Sequence, residues 1–237
     1  MKLSVMQGRT VSCPVNSLNP VQYFPHLDWK KDLKFSSLIG FKYIEWTVNK
    51  NNLNSNPIYS DLKILRKTLK YNKIKVSGLT FDYILENPFF KKKGKELIFF
   101  QVLKKILINL DALKVKIIVI PLLDQSSIKS FQEEKIFINK MKNFINSYNG
   151  NVKLLFESDY SPKKLLNLIK KFNSSKVGIN YDTGNSAYFN YNFYDEKKYF
   201  KFVKNIHIKD RLLKGKTVRL GSGNWNYKIF FKFLKKN

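Results

Sequence analysis

The chain has 237 residues, enough for one domain with a full hydrophobic core, and it lacks a run of about 18 apolar residues that would predict a membrane span. Its formal net charge is +27, yet the excess lysine is spread over nearly every predicted helix, among many Asn, Ile, Phe and Tyr residues typical of AT-rich codons. Charge therefore favours anionic substrates without predicting a nucleic-acid groove. The single cysteine, Cys13, excludes an internal disulfide, and the N-terminus does not resemble a signal peptide, so we expect a cytoplasmic location.

Short apolar runs typical of buried strands alternate with segments in which apolar residues recur at helical spacing. The predicted strands cover, in chain order, residues 3–6, 43–46, 74–76, 116–120, 152–156, 177–181 and 205–206. Helical spacing is clearest over residues 62–69, 97–110, 137–145 and 165–172, and a last helix is predicted at about 226–236. This alternation predicts an α/β fold with a parallel sheet and crossover helices. No linker-like segment interrupts it, so we predict a single domain over 1–237.

Seven strand–helix units can be counted, whereas a closed α/β barrel has eight strands. We therefore predict a (β/α)8 barrel whose eighth strand is missing from this chain. An open sheet edge would expose unpaired backbone groups. Either the chain is truncated at its C-terminus, which we favour, or an unusual arrangement closes the gap.

Three of the predicted strands lead directly into a residue of a metal-binding type. Glu157, Asp182 and His207 follow the last three strands at equal intervals, each about the length of one strand–helix unit. The carboxyl ends of neighbouring parallel strands lie side by side, and α/β barrels hold their active sites there. The pattern therefore predicts a divalent metal site built from two carboxylates and an imidazole.

Several motifs resemble the xylose isomerase-like sugar phosphate isomerase/epimerase superfamily over essentially the whole chain. They are Met6-Gln7-Gly8-Arg9, Gly40-Phe41-Lys42-Tyr43-Ile44-Glu45, Tyr181-Asp182-Thr183-Gly184-Asn185, Ile206-His207-Ile208-Lys209-Asp210-Arg211 and Leu220-Gly221-Ser222-Gly223-Asn224. The resemblance implies a (β/α)8 TIM barrel with one Mn, Mg, Co or Zn ion held by Glu, Asp, His and a final Glu. Glu157, Asp182 and His207 match the first three ligands, and the fourth belongs to the eighth strand. Ser222 departs from the pattern, because many relatives have Glu between the two glycines.

The resemblance implies a metal-dependent isomerase or epimerase that moves a proton next to the carbonyl of a sugar or sugar phosphate, through an enediolate. Glu157 is our candidate for the base. Lys209 and Arg211 could hold a phosphate or carboxylate of the substrate. The Gly221-Ser222-Gly223 loop is either a phosphate site or an ordinary glycine turn. The predicted substrate-binding residues are Gln7, Arg9, Glu45, Lys209, Arg211 and Ser222.

Other functions found on the same fold fit the sequence to different degrees. A three-zinc DNA endonuclease of the same fold needs many histidine ligands, but the chain has two histidines, and Asn185 stands where such enzymes carry another. We therefore do not expect nucleic acid as a partner. A one-metal lyase or dehydratase of the same fold stays open, as does a non-catalytic or degenerate barrel. Homodimerisation also stays open, since no residue argues for it.

Overall fold

The computed structural model describes residues 2–12, 22–91 and 94–236, so that Cys13 lies outside the described residues. The chain folds as two compact units, Met1–Leu154 and Leu155–Asn237. The single-domain interpretation stays a prediction. Within the described ranges, no helix is both long and apolar enough to cross a membrane.

The first unit contains four parallel strands that pair in sequence order. The strands are β1 (Val5–Met6), β2 (Tyr43–Thr47), β3 (Lys75–Thr80) and β4 (Ile117–Leu122). The helices are α1 (Trp29–Leu38), α2 (Pro57–Ser60), α3 (Leu62–Tyr71), α4 (Tyr83–Glu86), α5 (Glu96–Ala112), α6 (Phe131–Ser147) and a 3₁₀ turn (Asp124–Ser126). Strand β5 (Lys153–Ser158) begins in this unit and ends in the second.

Hydrophobic patterning explains how these elements pack. Strand β4 reads Ile-Ile-Val-Ile-Pro-Leu and is buried along almost its whole length, as expected for a parallel strand covered on both faces. Helix α5 buries one face that carries Phe99, Leu103 and Leu110. The Phe99 ring lies 5.7 Å from that of Phe81, directly after β3, and this contact joins helix to sheet.

The second unit carries β6 (Val177–Asp182) and β7 (Val203–His207), which pair in parallel with Asp182 opposite His207. Its helices are α7 (Pro162–Phe172), α8 (Thr183–Phe189), α9 (Phe193–Glu196), a 3₁₀ segment (Lys197–Phe202) and α10 (Tyr227–Leu234). Two short antiparallel strands, β8 (Asp210–Arg211) and β9 (Thr217–Val218), form a separate pair. Phe230 of α10 is fully buried, and its ring lies 5.6 Å from that of Tyr181, so aromatic packing holds the last helix against β6.

The predicted alternation of strands and helices is confirmed, with boundaries that shift by a few residues. The described residues contain seven strands of the parallel series. The short helices α8 and α9 and the β8–β9 pair were not predicted, because segments of two to seven residues carry too little periodicity to detect.

Candidate metal centre

The three predicted metal ligands lie at the carboxyl ends of successive strands of the second unit, and the structure brings them together. Glu157 is the penultimate residue of β5, while Asp182 and His207 end β6 and β7. His207 Nδ1 lies 3.3 Å from Glu157 Oε2 and 3.9 Å from Asp182 Oδ2. Each residue offers one potential ligand atom, and these three atoms all lie within 4.8 Å of one another, close enough to bind one ion.

Two asparagines that sequence reasoning missed hold the Glu157 carboxylate in place. Asn180 Nδ2 donates to Glu157 Oε2 at 2.6 Å and also lies 3.0 Å from His207 Nδ1. Asn185 Nδ2 donates to Glu157 Oε1 at 2.8 Å. Asn180 could have been found, because it precedes Asp182 by two residues on β6 and therefore points to the same face of the strand.

Asp182 combines a structural role with its place in the cluster. Its Oδ1 accepts a hydrogen bond of 2.8 Å from the backbone N–H of Asn185 and so caps the start of α8. Its Oδ2 is the oxygen that faces His207. Strand and helix therefore meet at Asp182, and this junction fixes the direction of the carboxylate.

Burial disfavours ionisation of both carboxyl groups, but their pKa values move in opposite directions. For Glu157, a hydrogen bond from His207 and the charges of His207 and Lys209 outweigh burial, and the pKa lies below its usual value. For Asp182, burial and then the nearby Glu157 charge dominate, and the pKa is raised. Burial and the mutual repulsion of two neighbouring carboxyl groups therefore both act on Asp182.

These residues fit a divalent ion. Two buried carboxylates close to each other repel, and a cation between them would relieve this repulsion. The donor set of two carboxylates and one imidazole suits several first-row ions as well as Mg²⁺. The hydrogen bonds from Asn180 and Asn185 orient Glu157 as outer-shell groups orient ligands in metal sites. Glu157, Asp182 and His207 could therefore hold such an ion, whose identity the donor set leaves open.

Lys209 lies beside this cluster. Its backbone N–H donates to Thr183 Oγ1 at 2.8 Å, and its carbonyl accepts hydrogen bonds from the hydroxyls of Thr183 and Tyr227. A side chain at Gly184 would collide with that of Lys209, so the glycine leaves room for the lysine. The Lys209 charge lowers the pKa of both carboxyl groups, so this cation is close enough to stabilise their ionised forms.

The other two predicted substrate contacts of this unit already have partners within the protein. The Arg211 guanidinium donates to the Gly215 carbonyl through Nε and Nη2, at 3.2 and 3.0 Å, and lies 4.0 Å above the Tyr188 ring. The Ser222 backbone N–H donates to the Arg219 carbonyl at 3.0 Å, and Ser222 is exposed. Their roles in substrate binding stay predictions.

Gln7, Arg9 and Glu45 lie in the first unit. Gln7 is 1% exposed, its Oε1 accepts from the Thr47 N–H at 3.0 Å, and its Nε2 has no hydrogen-bond partner within the described residues. Glu45 Oε1 accepts from Thr80 Oγ1 at 2.8 Å, so this buried carboxylate is paired. Arg9 is exposed. A role of the three residues in substrate binding stays a prediction.

Comparison with known proteins gives one family and several similar structures. A family model described as Xylose isomerase-like TIM barrel matches residues 33–237. No curated protein sequence matches the chain significantly.

Three solved structures show the likeness in fold. The IOLI protein with a bound zinc atom has a TM-score of 0.72 at 17% identity, and the match covers 100% of this chain and 85% of that one. The probable 3-DHS dehydratase AsbF from Bacillus anthracis has a TM-score of 0.67 at 15% identity, and the match covers 100% of this chain and 90% of that one. D-allulose 3-epimerase from Methylomonas sp., in complex with D-allulose, has a TM-score of 0.63 at 13% identity, and the match covers 87% of this chain and 73% of that one. The predicted TIM-barrel fold is confirmed, with seven of its strands in the described residues.

Proposed function

Because the chain belongs to the xylose isomerase-like TIM barrel family, we propose that it is a metal-dependent isomerase or epimerase of a sugar or sugar phosphate. The observation that carries this proposal is the convergence of Glu157, Asp182 and His207 at three neighbouring strand ends. The likeness to an epimerase with a bound sugar and to a zinc-binding protein supports it at the level of fold. The partner is then a small hydroxy-carbonyl compound.

Glu157 is the proposed base. It takes the proton from the carbon next to the substrate carbonyl and leaves an enediolate, then returns the proton to the other face or to the neighbouring carbon. Asn180 and Asn185 fix the two carboxylate oxygens, so that the proton is taken at a defined position. A divalent ion held by Glu157, Asp182 and His207 would supply positive charge that stabilises the developing oxyanion. Lys209, Arg211 and Ser222 are proposed substrate contacts.

A one-metal dehydratase is the second candidate, and the likeness to a probable dehydratase favours it. Such an enzyme begins with the same proton abstraction but then expels a hydroxyl group from the adjacent carbon as water. The two reactions therefore share the metal site and the base. They differ in whether the substrate loses water.

Metal-dependent stability tests the site. We expect Mn²⁺, Co²⁺, Zn²⁺ or Mg²⁺ to raise the melting temperature, because a hundredfold excess over Kd stabilises the native state by about 2.7 kcal/mol, or about 5–10 °C for a chain of this size. Asp182→Asn removes the charge and keeps an oxygen to cap α8, so it should fold and lose this shift. Asp195→Asn, at an exposed aspartate paired with Lys198, serves as control and should keep it. If Asp182→Asn keeps the metal-induced rise in melting temperature, as the control does, the proposed site is wrong.

Proton exchange in deuterated water then separates the reactions. The metal-loaded protein should exchange the proton next to the carbonyl of unphosphorylated and phosphorylated ketoses, followed by NMR, and Glu157→Gln should not. Without loss of water, appearance of an epimer indicates an epimerase, and appearance of the corresponding aldose indicates an isomerase. A dehydrated product indicates the second candidate.

A further inference from the structure

Asp210 is a buried carboxylate beside the candidate metal centre that holds the loop after β9. It is 1% exposed. Its Oδ2 accepts from the backbone N–H groups of Gly221 and Gly223, both at 2.9 Å. Its Oδ1 accepts from the N–H groups of Arg211 and Trp225, at 3.0 and 3.3 Å. Four backbone donors therefore surround one carboxylate.

The two glycines allow the loop to wrap around Asp210. Gly221 has a φ of +85°, in the left-handed region that favours glycine. A side chain at Gly223 would overlap both the Asp210 carboxyl group and the Arg211 carbonyl oxygen. Backbone N–H groups that converge in this way form a cavity suited to an anion. The loop thus has the local geometry of an anion-binding nest, with an aspartate of the same chain inside it.

The loop is tied to the residues of the candidate metal centre. Tyr227, two residues after Trp225, donates to the Lys209 carbonyl at 3.0 Å. Lys209 in turn is held by Thr183, which directly follows Asp182. A ligand in this nest would therefore lie beside the candidate site, in the region after the seventh strand where α/β barrels often bind phosphate.

We propose that Asp210 acts as a built-in anion that fills this nest and excludes phosphate from it, so that the site selects a substrate without a phosphate group on this side. Occupation of the nest by Asp210 is independent of the proposed function, whereas selection of the substrate rests on it. Arg211 fits this interpretation, because the Gly215 carbonyl and the Tyr188 ring already hold its guanidinium, so its proposed contact with the substrate does not require a phosphate group. Lys209 lies beside Glu157 and Asp182, so its charge is balanced by carboxylates.

Anion rescue of Asp210→Ala tests the proposal on metal-free protein. Removal of the carboxylate leaves four inward donors without an acceptor, so the melting temperature should fall by roughly 5 °C or more. Tryptic cleavage after Arg219, an exposed residue of the loop, should quicken by about tenfold, measured by mass spectrometry. Inorganic phosphate, and formate more weakly, should reverse both changes saturably, while chloride at equal ionic strength should not.

Two controls make the result specific. Wild-type protein should gain no saturable protection from phosphate, because Asp210 already occupies the donors. Asp210→Asn keeps the side-chain volume but turns an amide N–H toward the backbone N–H groups, so phosphate should not rescue it. The proposal is overturned if phosphate and formate do not restore the melting temperature and the protease resistance of Asp210→Ala. It is also overturned if this variant does not fold in their presence, or if phosphate protects the wild-type loop. A protein without metal-dependent stabilisation can still pass this test, which separates the two proposals.

Discussion

Glu45 in the first unit and Glu157 in the second are both glutamates of parallel strands, Glu45 at the centre of β2 and Glu157 near the carboxyl end of β5. Both are buried, with 4% and 8% exposure. Their surroundings differ. Glu45 accepts a hydrogen bond from the Thr80 hydroxyl on the next strand. Glu157 has a second carboxylate, an imidazole and a lysine charge nearby. Burial of a glutamate in a parallel strand therefore does not define a metal site by itself. At Glu157 the carboxylate and the imidazole that end the next two strands provide the other potential ligands.

The difference reflects two ways to bury a carboxyl group. Hydroxyl donors such as Thr80 compensate part of the lost hydration within the protein. A cluster of two carboxylates is stabilised by positive charge instead. Burial and the Glu157 charge raise the pKa of Asp182, while the charges of Lys209 and His207 lower it. The second arrangement is costly in a metal-free protein and useful in one that binds a divalent ion.

Matched substitutions at the two glutamates should give the largest effect. Glu157→Gln removes one charge of the proposed site, and loss of one partner of a buried ion pair costs roughly 3–5 kcal/mol, so Mn²⁺ affinity should fall by about 100-fold to 1000-fold or more. Glu45→Gln should leave Mn²⁺ affinity unchanged. Isothermal titration of each variant with Mn²⁺ measures both. If Glu45→Gln lowered the Mn²⁺ affinity and Glu157→Gln left it unchanged, Glu45 rather than Glu157 would belong to the metal site.

Sequence reasoning succeeded where a signal extends over many residues or repeats. The spacing of Glu157, Asp182 and His207 predicted their approach, because parallel strands at equal intervals bring their carboxyl ends together. The role of Asn185 in holding Glu157 was not predicted, since it depends on how α8 leaves β6. The Gly221-Ser222-Gly223 loop left two interpretations open, because sequence does not show that its backbone donors face Asp210.

A third buried glutamate sharpens the comparison through pH. Glu196 accepts hydrogen bonds from the hydroxyls of Tyr181, Ser186 and Tyr199, and burial raises its pKa to about 7. The unfolded chain ionises near the usual glutamate pKa, while the folded chain keeps its proton. The contribution of Glu196 to stability is therefore complete below about pH 4.5 and is lost as pH rises through about 7, on the order of 3 kcal/mol in all.

Glu196→Gln should remove this part of the pH dependence. Urea unfolding of wild type and variant at pH 5, 6 and 7 gives the free energy of unfolding of each, and their difference cancels other titrating groups. We expect the difference to shift in favour of the variant as pH rises. Parallel curves would mean that Glu196 is ionised in the folded protein, and that three hydroxyl groups are sufficient to hold a buried charge.

The smallest expected effect follows from removing a hydrogen-bond donor to each glutamate rather than the carboxylate itself. Asn180→Ala removes the hydrogen bond to Glu157 Oε2, and loss of such an outer-shell partner typically lowers metal affinity by about 10–100-fold. Thr80→Val is the matched change in the first unit, because it removes the hydroxyl donor to Glu45 while keeping a similar volume. It should lower the free energy of unfolding by about 1–3 kcal/mol and leave Mn²⁺ affinity unchanged. If Asn180→Ala loses stability but binds Mn²⁺ as wild type does, the asparagine only supports the fold, and Glu157 does not need it to hold a metal ion.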